Sequence, residues 1–160
     1  MNKSALRDAI VDQLRAELAL QTGAALLARD EAISEESRAE NKYDTHSQEA
    51  AYLAEGQARQ AAEIEASLAH YTSLSLPEFS ATATIALGAL VELSSPTGKH
   101  SWYFIGPRAG GSEVRLNGRS VLVVTPQSPF GRQLVGRQVG EMVTAAGRGP
   151  STMLRIASIM

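Results

Sequence analysis

The chain is predicted to be an α+β protein: an antiparallel two-helix coiled-coil hairpin followed by a small antiparallel β domain carrying one short helix. Three observations predict it. Residues 1–76 contain no proline and are dense in Ala, Leu, Arg and Glu, the strongest helix formers. Within them run two apolar stripes at coiled-coil spacing, one in each half of the segment. From Ser80 onward the apolar period shortens toward two, β-branched residues accumulate, and turn residues break the chain at short intervals.

The first helix covers Ser4 to about Glu36, with Gly23 its single glycine. Its stripe reads Val11, Leu14, Leu18, Gln21, Ala25, Ala28 and Ala32. The second stripe reads Ala50, Ala54, Gln57, Ala61, Ile64, Leu68 and Tyr71, and Thr72 to Pro77 breaks it. Two stripes of similar length joined by a short polar stretch can cover each other by folding back antiparallel, and the alanines allow close approach. A parallel dimeric coiled coil is the alternative, disfavoured by the interruption from Ser34 to Asp44. At about 1.5 Å per residue, an arm of about 30 residues reaches roughly 45 Å.

The bend belongs within Ser34 to Thr45, where Ser, Asn and Asp gather. Between Asp30 and Glu49 there are seven acidic residues against Arg38 and Lys42. Carboxylates at a tip suit a hard divalent ion that keeps its other ligands elsewhere, and Glu40 and Asp44 lie four residues apart. The alternative is that these charges merely solvate the end of the hairpin.

The strands expected after Ser80 are Ala83 to Leu93, Trp102 to Ile105, Glu113 to Leu116, Ser120 to Thr125, Val139 to Ala145 and Met153 to Ile159. Turns fall at Ser95–Gly98, Gly106–Gly111 and Asn117-Gly118. Ser128 is a good N-cap, Pro129 fits the first helical position and Gly136 can end a helix in the left-handed conformation. Phe130, Leu134 and Val135 would then face the core, leaving Arg132 and Arg137 outward. The glycine-rich loop at Gly106 reads as a turn rather than a phosphate cradle, because no helix follows it.

Composition excludes several function classes. There is no cysteine, which removes disulfides, thiolate metal sites and cysteine nucleophiles. Met1 to Leu20 carries charges and no continuous apolar run, so no signal peptide or membrane span is expected and a cytoplasmic location is. His46, His70 and His100 lack metal-ligand spacing, and no Ser-His-Asp signature or nucleophile elbow is present. The net charge of −2 conceals a division near Leu76. Residues 1–76 hold 13 acidic and 7 basic side chains, and residues 77–160 hold 4 and 8. Domains are accordingly expected at 1–76 and 77–160, with a partner that meets charge of both signs. The basic residues of the second half are dispersed in sequence, without an interleaved aromatic platform for nucleic acid.

The run from Ser128 to Val143, SPFGRQLVGRQVGEMV, resembles the hallmark of the Gre transcript-cleavage factors, which reads Ser-Pro-x-Gly-x-x-Leu-x-Gly-x-x-x-Gly-Asp-x-Val. Ahead of it, Leu87-Gly88-Ala89-Leu90-Val91 resembles that family's Gly-Ser-x-Val strand, and Tyr103-Phe104-Ile105-Gly106 its Tyr-x-Val-Gly strand. The resemblance implies an FKBP-like second domain seated at the rim of the RNA polymerase secondary channel, with docking contacts at Ser128, Pro129, Arg132 and Arg137. It implies a hairpin that enters the channel as a monomer and brings tip carboxylates toward the RNA 3′ end. Glu40 and Asp44, with Glu36 and Glu49 in reserve, would help hold a magnesium ion shared with the polymerase, which hydrolyses backtracked RNA. The factor would need no cofactor of its own and would have no activity alone.

The tip departs from the family pattern of Asp-x-x-Glu-Asn followed by tyrosine. Anchoring on Tyr52 puts Thr45 and Gln48 at the acidic positions. Anchoring on Glu40-Asn41 puts Ser37 at the first acidic position and leaves Tyr43 one residue early. A carboxylate displaced by one helical position rotates about 100°. A regulator that occupies the channel without promoting cleavage is therefore the alternative. A peptidyl-prolyl isomerase or peptide binder is a third reading, and it needs an aromatic-lined pocket that Phe79, Trp102, Tyr103, Phe104 and Phe130 supply only in part.

Overall fold

A computed structural model of the chain describes residues 2–36, 45–80, 82–145 and 152–160, with the side chains of residues 28, 31–36, 45–48, 50, 51 and 145 left aside. The elements are α1 (Lys3–Glu36), α2 (Thr45–Thr72), β1 (Leu90–Ser94), β2 (His100–Ile105), β3 (Glu113–Leu116), β4 (Arg119–Val124), α3 (Pro129–Leu134), β5 (Met142–Ala145) and β6 (Thr152–Ile159). Two compact units result. One is Asp12–Ala69; the other joins Met1–Val11 to His70–Met160.

Helix α1 starts where Asn2 caps it, its Oδ1 accepting from Ser4 N at 2.8 Å and Ala5 N at 3.2 Å. Over 34 residues α1 runs about 51 Å, and α2 has 28 residues. Burial follows the two stripes read from the sequence. In α1, Val11 and Leu14 are buried and Leu18, Gln21 and Ala25 are half-buried, while Asp12, Gln13, Arg15, Ala16, Ala19 and Leu20 are exposed. In α2, Ala54, Gln57 and Ala61 are half-buried and Ile64 is buried amid exposed neighbours. Sharing one compact unit, the two helices form the helical hairpin.

The second unit is built on a six-stranded sheet of order β3-β4-β2-β1-β6-β5. Four of its ladders are antiparallel, and the fifth, β2 with β4, is parallel. The turn signals read from the sequence do not foretell that ladder. It arises because β3 and β4 form a hairpin of their own through Asn117 and Gly118, both at positive φ, which returns β4 alongside β2.

Both faces of the sheet are buried, so alternate positions along a strand enter different cores. One core gathers Val91, Leu93, Ile105, Val124, Leu154 and Ile156 with Leu134 of α3, and Phe79, Tyr103 and Phe130 pack against it. The opposite register positions Leu90, Phe104, Val121 and Val123 are also buried. Tyr71, Leu6 and Ile10 of the same unit are buried as well. Each such side chain contributes roughly 1.5–3 kcal/mol.

Two expected strands are shorter than the sequence reading. Ala83–Leu93 becomes a strand only from Leu90, because Ile85 pairs its backbone instead with Arg137 O and Gly136 N, at 2.8 Å each. Val139–Ala145 becomes a strand only from Met142, after a turn at Gly140.

Candidate functional site

The residues singled out by the sequence fall into two groups: the acidic bend of the hairpin and the turn around α3.

At the bend, Glu40 and Asp44 lie outside the described residues. Glu36 is the last residue of α1 and its side chain is likewise left aside; Glu49 stands exposed in the second turn of α2. Eight residues, 37–44, join the two helices. Among the described residues no group of three or more His, Asp or Glu is placed to hold a metal ion.

The turn around α3 is organised by Ser128. Its Oγ accepts from Gly131 N at 3.0 Å and donates to Thr125 O at 2.8 Å, capping the helix while tying it to the end of β4. Pro129 occupies the first turn, where its missing N–H costs nothing. Gly131 is required sterically, since a Cβ there would overlap the Thr125 carbonyl oxygen. Gly136 follows at φ +84°, as expected for a residue that turns the chain out of a helix.

The side chains predicted to face outward do so. Arg132 is exposed, its Nε donating to Gln127 O at 2.9 Å. Arg137 donates through Nη1 to Glu141 Oε1 at 2.9 Å, while Glu141 Oε2 accepts from Gln138 N at 2.6 Å. The Arg137 hydrogen bond, followed by that from Gln138, holds the Glu141 carboxyl below its usual range. The acidic position of the motif therefore closes the turn that follows α3. One residue differs from expectation. Val135 is 39% exposed rather than in the core, because the helix ends at Leu134 and Val135 takes an extended conformation.

Three constellations were not read from the sequence. Tyr71 was placed in the hairpin stripe; its hydroxyl donates to Arg108 O at 2.8 Å and lies against Gly106, where a Cβ would collide with it. Burial pushes its phenol well above the ordinary range. Glu92 on β1 receives Ser158 Oγ at 3.0 Å and sits 2.8 Å from His100 Nδ1, linking three neighbouring strands. The Arg119 guanidinium lies 5.1 Å from the Trp102 ring centroid. The pairings in these constellations span separations from 8 to 66 residues for the hydrogen bonds.

No protein-family model and no curated protein matches the chain. Among solved structures it is similar to the GreA factor homolog 1 (Gfh1) of Thermus thermophilus, at 19% identity and a TM-score of 0.41, over 94% of each chain. It is similar to Gfh1 of Thermus aquaticus at 22% identity and a TM-score of 0.42, over 95% of this chain and 94% of that one. A GreA/GreB elongation factor from Nitrosomonas europaea matches 62% of this chain and 78% of its own, at 18% identity and a TM-score of 0.40. At these values the similarity stands beside the geometry and assigns no function.

Proposed function

We propose that the chain is an accessory factor of bacterial RNA polymerase that enters the secondary channel with its helical hairpin and stimulates the polymerase to cleave backtracked RNA. The observation that carries this reading is the Ser128–Val143 run. Ser128, Gly131, Leu134, Gly136 and Gly140 are among the positions at which that run resembles the Gre hallmark, and each meets a local demand: a cap, a steric exclusion, a core side chain and two positive-φ turns. The resemblance is thus supported by geometry as well as by letters.

In this reading the β-rich unit docks, with Pro129, Arg132 and Arg137 available on its surface and Ser128 shaping the turn that presents them. The hairpin supplies length, about 38 Å along the part of α1 from Asp12 to Glu36 that belongs to its unit. Glu40 and Asp44, with Glu36 and Glu49 near them in sequence, supply oxygen donors of the kind a magnesium ion takes. The ion belongs to the polymerase and stabilises the attacking and leaving oxygens of the phosphodiester. The chain's own part is to deliver charge and to position water, so alone it hydrolyses nothing.

A second reading, occupancy of the channel without cleavage, is favoured by one observation. Thr45, Gln48 and Tyr52 all lie on α2 at helical spacing, so on the alignment anchored at Tyr52 one helix face carries neutral residues where the family has acids.

A stalled-complex assay separates them. Added to backtracked polymerase, the protein should shorten the RNA from its 3′ end, and Asp44→Asn should remove most of that effect while leaving polymerase binding intact. RNA that stays full length while the protein is bound would select the second reading.

A further inference from the structure

The basic residues of the second half are dispersed in sequence, but the sheet gathers several of them on one face. Strand register sets that face. Met142 pairs with Arg155, Arg155 with Ser94, and Ser94 with His100. In the parallel ladder Trp102 pairs with Val121, and Arg119, two residues before Val121, shares its side of the sheet. Arg155, Ser94, His100, Trp102 and Arg119 therefore stand on one side of β6, β1, β2 and β4, while Leu154, Leu93, Tyr103 and Val124 turn to the core on the other. Three strand spacings separate Arg155 from Arg119, roughly 14 Å. At the end of the sheet where β2 and β4 begin, a hollow of about 510 Å³ is lined by Lys99, His100, Trp102 and Arg119, with Glu113 and Ser120.

Charge on this surface is uneven. Lys99, Arg119 and Arg155 form no ion pair among the described residues. The nearby carboxylates are already engaged: Glu92 accepts from Ser158 Oγ at 3.0 Å and lies 2.8 Å from His100 Nδ1, and Glu113 accepts from Ser120 Oγ. Arg119, 5.1 Å from the Trp102 ring centroid, forms with it a planar cationic stack. Uncompensated cations around such a stack suit a ligand that brings both planar rings and anions. Single-stranded nucleic acid is that ligand, since its unpaired bases stack on aromatic and guanidinium planes while its phosphates take arginine and lysine. An acidic polypeptide would supply the anions and leave the stack unused. Ser94 Oγ stands between Arg155 and His100 in the same row, where it can exchange a hydrogen bond with a ribose 2′-hydroxyl, the group that separates RNA from DNA.

We infer that this face of the sheet binds single-stranded RNA, with a base stacked on the Trp102–Arg119 pair and phosphates meeting Lys99, Arg119 and Arg155. Four-stranded sheets that hold RNA by stacking take two or three bases, a span that four strands of this sheet can offer. The surface lies wholly within the β-rich unit, so the inference is independent of what the acidic bend does.

The test uses the full chain without polymerase, so its failure is distinct from failure of the proposed function. Trp102 is the single tryptophan, and quenching of its fluorescence by a short oligouridine reads stacking directly. Quenching should saturate and weaken as salt rises. The double variant Arg119→Gln, Arg155→Gln should bind about tenfold or more weakly, with a salt slope smaller by about 1.4. Arg115→Gln, exposed on the opposite side of the sheet, should bind as wild type does. The deoxyuridine oligomer should bind more weakly than the RNA. Absence of quenching at low salt, or equal affinity in the double variant, overturns the inference. Equal affinity for the deoxyuridine oligomer overturns the assignment to RNA. Polyglutamate that displaces the oligouridine at equal charge concentration also overturns it, since the face would then suit an acidic protein.

Discussion

Replacing Gly131 by alanine sets two physical arguments against each other, and the geometry of α3 decides the sign. On intrinsic propensity alone, alanine in a helix should stabilise by about 1 kcal/mol. Around Gly131, however, an added Cβ would overlap the carbonyl oxygen of Thr125 and come within 3.0 Å of Ser128 Oγ. The obstacle is backbone, so no side-chain rotation relieves it. Helix α3 would have to move outward, weakening the cap from Ser128 and displacing Leu134, which is fully buried. Overpacking of this kind costs about 1–3 kcal/mol, and the partial loss of the cap adds about 1, which leaves a net loss of about 1–3 kcal/mol after the propensity gain. For a unit of this size each kcal/mol lowers the melting temperature by about 4–8 °C, so a fall of roughly 5–20 °C is expected. Trp102, the single tryptophan, lies on β2 and reports unfolding of that unit by fluorescence. Gly56→Ala in α2, where an added Cβ meets nothing within 4 Å, is the internal contrast and should be neutral or stabilising by up to about 1 kcal/mol. A Gly131→Ala protein that melts at or above the wild-type temperature would refute the reasoning.

Two further outcomes follow from buried or paired groups. Tyr71→Phe removes a hydroxyl bonded to Arg108 O in a fully buried setting, and should cost about 1–2 kcal/mol in denaturant unfolding. The Tyr71 phenol is raised in the folded state, so its contribution is fully present below the ordinary value of 10.0 and is lost as pH rises through the folded value. The phenylalanine variant should therefore lose less stability than wild type between pH 9 and 11, a difference that parallel melts would show or exclude. Glu141 has the opposite sign: its depressed carboxyl contributes stability that is present above the ordinary value of 4.5 and disappears as pH falls through the lower folded value. Glu141→Gln should flatten the acid limb of the stability curve, and an unchanged limb would contradict that role.

The helical hairpin was legible because its signal is local and repeated. Leu14, Ala25, Ala54 and Ile64 each mark a stripe whose next member is three or four residues away, and burial tracks that spacing. The α3 turn was legible for the same reason, since Ser128, Pro129 and Gly136 state a cap, a first turn and an exit within nine residues. What escaped is non-local. The parallel β2–β4 ladder depends on where a hairpin lands, which no single turn encodes. Tyr71 continues the stripe spacing, yet its hydroxyl is spent on Arg108, 37 residues away. Ile85 belongs to an apolar run that reads as strand, but its backbone bonds go to Arg137 and Gly136 across the fold. At the candidate site, residue types at the acidic bend were readable and their arrangement was not: Glu40 and Asp44 lie outside the described residues.

Capture of core RNA polymerase by the immobilised full chain tests the central claim most directly. The account predicts saturable retention of polymerase by the wild-type protein, lost when a second factor already fills the secondary channel and weakened by Arg132→Glu on the exposed side of α3. Polymerase that is not retained, or is retained equally with the channel filled, would contradict it.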